Sequence, residues 1–189
     1  MSSRIVIERI ATEAELYKGA TIEDVTFVEQ FGAESRRREV LAWRRLVRRE
    51  LGDKCQISHD EYGAPKVDVP ATNISVSHSK EYVALVISDN PCAIDIESTE
   101  RDFCKVTSRY LSSLEFKLAE QYDLFAEIWC AKEALYKLYS KGALDFVNDI
   151  SIVDYKPDEG VLIATILRGE PINVQTFCRD GLVVAVIAN

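Results

Sequence analysis

The chain has 189 residues, and a hydrophobic fraction of 47% can build a sizeable core, which excludes disorder as its default state. Asp and Glu number 31 against 23 Lys and Arg, a formal charge of −8, which argues against general nucleic-acid or membrane-surface binding and makes any basic site a local one. Five widely spaced cysteines without a C-x-x-C indicate neither a disulfide framework nor a zinc cluster, Arg4, Glu8, Arg9, Glu13 and Glu15 stand where a secretion signal would be apolar, and the aliphatic run 182–188 is too short to span a bilayer, so a soluble cytoplasmic protein is expected.

In chain order, a strand is predicted over 5–10 and a helix over 35–51, with Ser35 as its starting cap and Gly52 as its stop. At about 100° per residue Val40, Trp43, Val47 and Leu51 share one face of this helix. Arg37, Arg44 and Arg48, beside Arg38, Arg45 and Arg49, form two cationic rows on another face. Tyr62 to Lys66 reads as a turn, freed by Gly63 and stiffened by Pro65, and Ser75 to Ser79 as a polar turn before a strand over 82–88. A strand over 93–97, helices over 113–121 and 125–139 with Gly142 as a stop, and strands over 150–153, 160–167, 172–178 and 182–188 complete the chain. Strands and helices mix without a regular βαβ rhythm, which favours an α+β fold. Arg38-Glu39-Val40-Leu41 is echoed by Lys132-Glu133-Ala134-Leu135, and the 82–88 strand by the 182–188 strand. That echo suggests two similar halves, 1–90 and 91–189, meeting near Asn90.

Two segments carry the strongest chemistry. In Ala93-Ile94-Asp95-Ile96-Glu97, strand alternation turns Ile94 and Ile96 to the core and Asp95 and Glu97 together to the other face. Such a pair suits Mg²⁺, although an ordinary half-exposed strand would show the same pattern. In Trp129-Cys130-Ala131-Lys132-Glu133-Ala134-Leu135-Tyr136-Lys137, Glu133 and Lys137 meet one helical turn apart. They make either a surface ion pair worth roughly 0.2–0.5 kcal/mol, or a third metal carboxylate beside a phosphate-neutralising lysine. Lys132 is expected to be solvated, and Trp129, Ala134 and Leu135 to pack. Ser77 and His78 could wrap phosphate oxygens, whereas His59 reads as exposed loop, which gives a two-histidine metal site little support. The glycines are too sparse for G-x-G-x-x-G or a P-loop, and no nucleophile elbow is present.

Taken in order, Gly63-Ala64-Pro65, Ser77-His78-Ser79, Ala93-Ile94-Asp95-Ile96-Glu97 and the W-x-x-K-E-A-x-x-K block from Trp129 to Lys137 resemble the signature set of the 4′-phosphopantetheinyl transferase superfamily. Arg37-Arg38-Glu39 with Arg44 is similar to the basic first helix of that family, and Arg109-Tyr110-Leu111-Ser112 with Glu115 to the segment between the last two motifs. The resemblance covers 37–142 and fits the single-chain, two-half, surfactin-synthetase-activating type.

The resemblance implies two α+β halves related by pseudo-twofold symmetry, with the active site at their interface. It implies that Asp95, Glu97 and Glu133 hold Mg²⁺, that Asp95, Glu133 and Lys137 are catalytic, and that Lys137, Ser77 and His78 hold phosphate oxygens. Arg37 and Arg44, with Arg38, would meet the phosphates of coenzyme A, and Gly63 to Lys66, Pro65 included, its adenosine. The implied reaction moves phosphopantetheine from coenzyme A to a serine of an apo acyl or peptidyl carrier protein and releases 3′,5′-ADP, with Glu133 or a metal-bound water as the base. A metal-dependent phosphohydrolase and a non-catalytic coenzyme A-binding module are the alternatives. Neither nucleic acid nor membrane is an expected partner, and the protein is expected to be a monomer. The carrier is expected on the Arg44 to Arg49 face with Phe103, Tyr110 and Leu111. Ala64, Ser75 and Ala93 depart from the residues usual in the family, where a basic residue, Asn and Gly respectively are frequent, but none of these departures removes a proposed ligand.

Overall fold

The computed structural model describes residues 3–188, so the first two residues and the last of the expected halves lie outside it. Its elements in order are β1 (Arg4–Arg9), α1 (Glu13–Lys18), α2 (Ile22–Val28), α3 (Glu34–Leu51), β2 (Ile57–His59), β3 (Pro65–Val67), β4 (Asn73–Ser79), β5 (Tyr82–Ser88) and β6 (Cys92–Ser98). A 3₁₀ turn (Cys104–Arg109) leads to α4 (Ser113–Tyr122), α5 (Phe125–Tyr139), β7 (Ile150–Lys156), β8 (Val161–Ile166), β9 (Ile172–Arg179) and β10 (Leu182–Ala188). The mixed α+β class expected from the sequence is the one observed.

Three antiparallel sheets form, in the orders β1-β5-β4, β6-β10-β9-β8-β7 and the small hairpin β2-β3. The aliphatic strands β5 and β10 are interior strands of their sheets, flanked on both edges, as suits continuous apolar runs with both faces covered. Each is flanked by its hairpin partner, β4 or β9, and by an earlier strand, β1 or β6. A helix lies on each sheet: α3 contributes Val40, Leu41, Leu46 and Val47 to one core, and α5 contributes Ile128, Ala131, Ala134 and Leu135 to the other. A third core joins the sheets through Ala84, Val86, Ile94, Ile96, Val184 and Val186.

Several local readings are corrected. The long helix starts one residue earlier than expected, with Ala33 and not Ser35 in the capping position, while Gly52 ends it at φ 107°. The C-terminal helix stops at Ser140, left-handed at φ 43°, before Gly142 is reached. Ser75 to Ser79 is strand, not turn. Its serines are buried because β4 runs beside β6, and they stand where a backbone ladder would otherwise form: Ser75 Oγ accepts from the Ile94 N–H at 3.2 Å, and Ser77 Oγ from the Ile96 N–H at 3.3 Å. The short helices α1 and α2 had no sequence counterpart; Thr21 caps the second by accepting from the Asp24 N–H.

Candidate active site

The β4/β6 seam, the face of α5 and the loop before β3 enclose a cleft of about 690 Å³. Its floor follows from the alternation of β6, which buries Ile94 and Ile96 between the sheets and turns Asp95 and Glu97 toward α5. Ala185 is the β10 residue opposite Asp95, a small neighbour beside the carboxylate. On α5, Trp129, Glu133, Tyr136 and Lys137 recur at helical spacing and line the cleft, while Ala131, Ala134 and Leu135 fill the core.

Lys137 ties the seam together. Its ammonium donates to Asp95 Oδ1 at 2.8 Å, to the Ile94 carbonyl at 3.0 Å and to the Val76 carbonyl at 3.4 Å. Ser77 also donates to Asp95 Oδ1, at 2.8 Å, and Asp95 Oδ2 is buried with no donor. Glu97 is paired with Arg101, whose guanidinium lies over the rings of Trp129 and Phe103. Burial pushes the Glu133 carboxyl above the usual carboxylate range, and Asp95 and Glu97 add to the rise against Lys137 and Arg101. Glu97 is raised too, by burial first, with Asp95 adding to it and Arg101 opposing it. Burial holds His78 below the ordinary histidine value, and its Nε2 lies 2.7 Å from Arg36 Nη1, an arrangement that requires a neutral, accepting ring nitrogen. At the rim, Asp60 Oδ1 accepts from the Tyr62 and Ala64 N–H groups and shapes the turn in which Gly63 stands at φ 86°. Ser140 donates to Asp60 Oδ2 at 3.4 Å, joining this loop to the end of α5.

Asp95, Glu97, Glu133, Lys137, Ser77, His78, Gly63 and Pro65 therefore all line one cleft. Arg37 and Arg44 do not. Arg37 donates to the carbonyls of Phe31 and Gly32. The Arg44 side chain is 1% exposed, held by Asp24 at 2.5 Å and Glu23 at 2.7 Å and packed over Phe27. Arg38 donates to the Ile10 and Ala11 carbonyls. The α3 guanidinium that reaches the cleft is Arg36, which lies outside the two rows singled out on the helical wheel. Of the expected carrier face, Arg44, Arg48, Phe103, Tyr110 and Leu111 are buried, and Arg45 and Arg49 are exposed. Lys132, expected in solvent, is fully buried against Glu115 at 2.6 Å. Arg101 escaped notice although Glu97-x-x-x-Arg101 was a visible opposite-charge spacing.

The carboxylate chemistry suits a hard divalent cation: Asp95 offers an oxygen without a donor, and Glu97 and Glu133 line the same cleft with proton affinities raised by burial. Among the described residues no group of three or more His, Cys, Asp or Glu side chains is gathered closely enough to hold a metal ion. Lys137 and Arg101 stand on two of the carboxylates instead.

The family model described as the 4′-phosphopantetheinyl transferase superfamily matches residues 91–187. The chain is 34% identical over 146 residues to the 4′-phosphopantetheinyl transferase Sfp of Bacillus subtilis strain 168, an alignment covering 72% of this chain and 65% of that protein. It is 31% identical over 99 residues to the 4′-phosphopantetheinyl transferase gsp of Aneurinibacillus migulanus, covering 49% and 41%. With the 4′-phosphopantetheinyl transferase ffp of Bacillus subtilis it shares 29% over 158 residues, covering 76% and 70%. The chain thus spans 65% and 41% of the lengths of the first two relatives. The matched residues carry β6 with its two acids and the whole of α5, so the part of the fold that builds the cleft floor is the part the family model describes, and the chain belongs to the 4′-phosphopantetheinyl transferase superfamily.

Proposed function

We propose that this protein moves the 4′-phosphopantetheinyl group of coenzyme A onto a serine hydroxyl of an apo acyl or peptidyl carrier protein, with Mg²⁺ and with release of 3′,5′-ADP. The observation that carries this reading is the convergence of Asp95, Glu97 and Glu133 with Lys137, Ser77 and His78 in one cleft of a chain in this superfamily. The matched relatives bear the name of that activity.

Asp95, Glu97 and Glu133 are the residues that would hold the ion, which when bound supplies positive charge to a diphosphate. Glu133, which lines the cleft one helical turn from Lys137, accepts the proton of the attacking hydroxyl. The serine oxygen bonds to the phosphorus that carries pantetheine, the bond from that phosphorus to the 3′,5′-ADP oxygen breaks, and the electron pair leaves on the ADP phosphate. Lys137, fixed by two carbonyls and Asp95, presents a positioned positive charge to the oxygens on which charge grows. His78 and Arg36 hold phosphate oxygens, Gly63 to Pro65 flank the adenosine, and Ser77, whose one hydroxyl proton goes to Asp95, orients that carboxylate and does not meet the phosphate as expected.

The cleft lies, on this reading, between halves 1–90 and 91–189 related by a pseudo-twofold axis, which the matching strand orders β1-β5-β4 and β6-β10-β9 support. We also place the protein in the cytoplasm, in keeping with its free cysteines, and treat it as a monomer. Incubation with coenzyme A, Mg²⁺ and a panel of apo carrier proteins tests the assignment by mass spectrometry. One phosphopantetheine on the carrier serine is expected. No mass gain across the panel counts against it, and phosphate release without a carrier would favour a phosphohydrolase.

A further inference from the structure

We propose that Arg101 is the resident counter-ion of the carboxylate cleft: it holds Glu97 in the free protein and must surrender that carboxylate to an entering divalent cation, and so sets the cation concentration at which the cleft loads. The inference rests on the assignment of Asp95, Glu97 and Glu133 to the ion.

Arg101 lies in the turn that follows β6, where its N–H donates to the Ser98 carbonyl at 3.1 Å, and its side chain folds back along the strand to Glu97. The guanidinium lines the same cleft as the three acids. It is seated on two rings, 4.8 Å from the centroid of Trp129 and 4.9 Å from that of Phe103. Trp129 stands one helical turn before Glu133 on α5, and the Arg101 charge is felt by Glu133 as well as by Glu97.

Two features make the pair exchangeable. The Arg101 side chain is 41% exposed, so its attraction to Glu97 is screened and modest. The contact with Trp129 and Phe103 does not depend on the carboxylate, so Arg101 can release Glu97 and keep its seat. Asp95 presents a different case, because Ser77 and Lys137 both occupy Oδ1 while Oδ2 has no donor. An entering ion therefore finds one Asp95 oxygen without a donor, although buried, and Glu97 held. Separating Arg101 from Glu97 opposes ion binding, and a pair of this exposure implies a penalty of roughly 1.5- to fivefold.

The probe is Mn²⁺, titrated by electron paramagnetic resonance of the free ion into wild type, Arg101→Gln, Arg101→Lys and Lys105→Gln, each with and without coenzyme A. Lys105 is 79% exposed and pairs with Asp102 at 3.0 Å, so Lys105→Gln removes the same charge away from the cleft. Arg101→Gln is expected to bind Mn²⁺ about 1.5 to five times more tightly, Arg101→Lys to fall between it and wild type, and Lys105→Gln to match wild type. Thermal melting confirms folding, and if Arg101→Gln does not melt cooperatively, Arg101→Lys must still show the tighter binding. Equal or weaker binding by the Arg101 variants, or an equal gain in Lys105→Gln, overturns the proposal. Binding that ignores Arg101 but disappears in Glu133→Gln overturns it while sparing the metal assignment. No binding by any of these proteins, with or without coenzyme A, removes the metal assignment and this inference with it.

Discussion

Replacing Lys132 by Met asks how firmly α5 is fixed on the side turned away from the cleft. The side chains of Lys132 and Glu115 are 0% and 2% exposed. The ammonium spends its three donors on Glu115 Oε1 at 2.6 Å, the Phe146 carbonyl at 2.6 Å and the Ile150 carbonyl at 2.8 Å. Glu115 in turn accepts from the Ile152 N–H at 2.8 Å and the Ser112 N–H at 2.7 Å, so the start of α4, the middle of α5 and the first residues of β7 meet at one buried charge pair. Met keeps most of the apolar stem and removes every donor, which leaves a buried carboxylate uncompensated and two carbonyls without partners. Removing one member of a buried pair costs about 3–5 kcal/mol. The two backbone donors that remain on Glu115 place this case near 3 kcal/mol, on the order of the lower bound. Urea unfolding at neutral pH, followed by the fluorescence of Trp43 and Trp129, measures the loss. The double variant Lys132→Met/Glu115→Gln, which keeps an acceptor for Ile152 but carries no charge, should recover roughly 1 kcal/mol or more. A loss within about 0.5 kcal/mol for Lys132→Met, the value of a surface lysine, would refute the reasoning.

Arg44→Met should likewise cost about 3 kcal/mol in urea unfolding while coenzyme A binding by calorimetry stays at the wild-type value; weakened binding at unchanged stability would return Arg44 to the cleft. Burial raises the Asp24 carboxyl, but hydrogen bonds from Arg48 and Arg44 outweigh it and hold the group below the usual carboxylate range. Because the folded value is depressed, its stabilisation is complete above the unfolded value and disappears as pH falls through the folded one. Asp24→Asn should therefore melt lower at neutral pH and show a flatter acid limb, and a melting profile parallel to wild type down to about pH 2 would contradict the pairing. Glu133→Gln should lower turnover by about 10²–10⁴-fold in a carrier mass-gain time course. Its melting temperature at neutral pH should equal or exceed wild type, because the fold raises the carboxyl and no longer has a charge to bury there.

What could be read in advance was what depends on near neighbours in the chain. Strands β5 and β10 and helix α5 fall where the aliphatic runs and the 125–139 periodicity put them. Asp95 stands with Glu97 and Glu133 with Lys137 because spacings of two on a strand and four on a helix decide a shared face without outside help. The errors share one cause. Arg44 and Arg48 looked like a solvated cationic face because their counter-ions, Glu23 and Asp24, sit on α2, a helix too short to show a period. Lys132 looked solvated because its acceptors lie on Glu115 and on carbonyls between α5 and β7. The serines of β4 looked like a turn because the N–H groups that satisfy them belong to β6. In each case a polar side chain was sorted by its own polarity, whereas burial is decided by whether a distant segment brings a partner of opposite character. The carboxylates of the cleft obey the same rule: local spacing sets Asp95 beside Glu97 and Glu133 beside Lys137, and the packing of α5 on β6 brings the two pairs to one space. The cations that stand on them are set by the packing of β6 against α5 for Lys137, and by two aromatic rings from separate elements for Arg101.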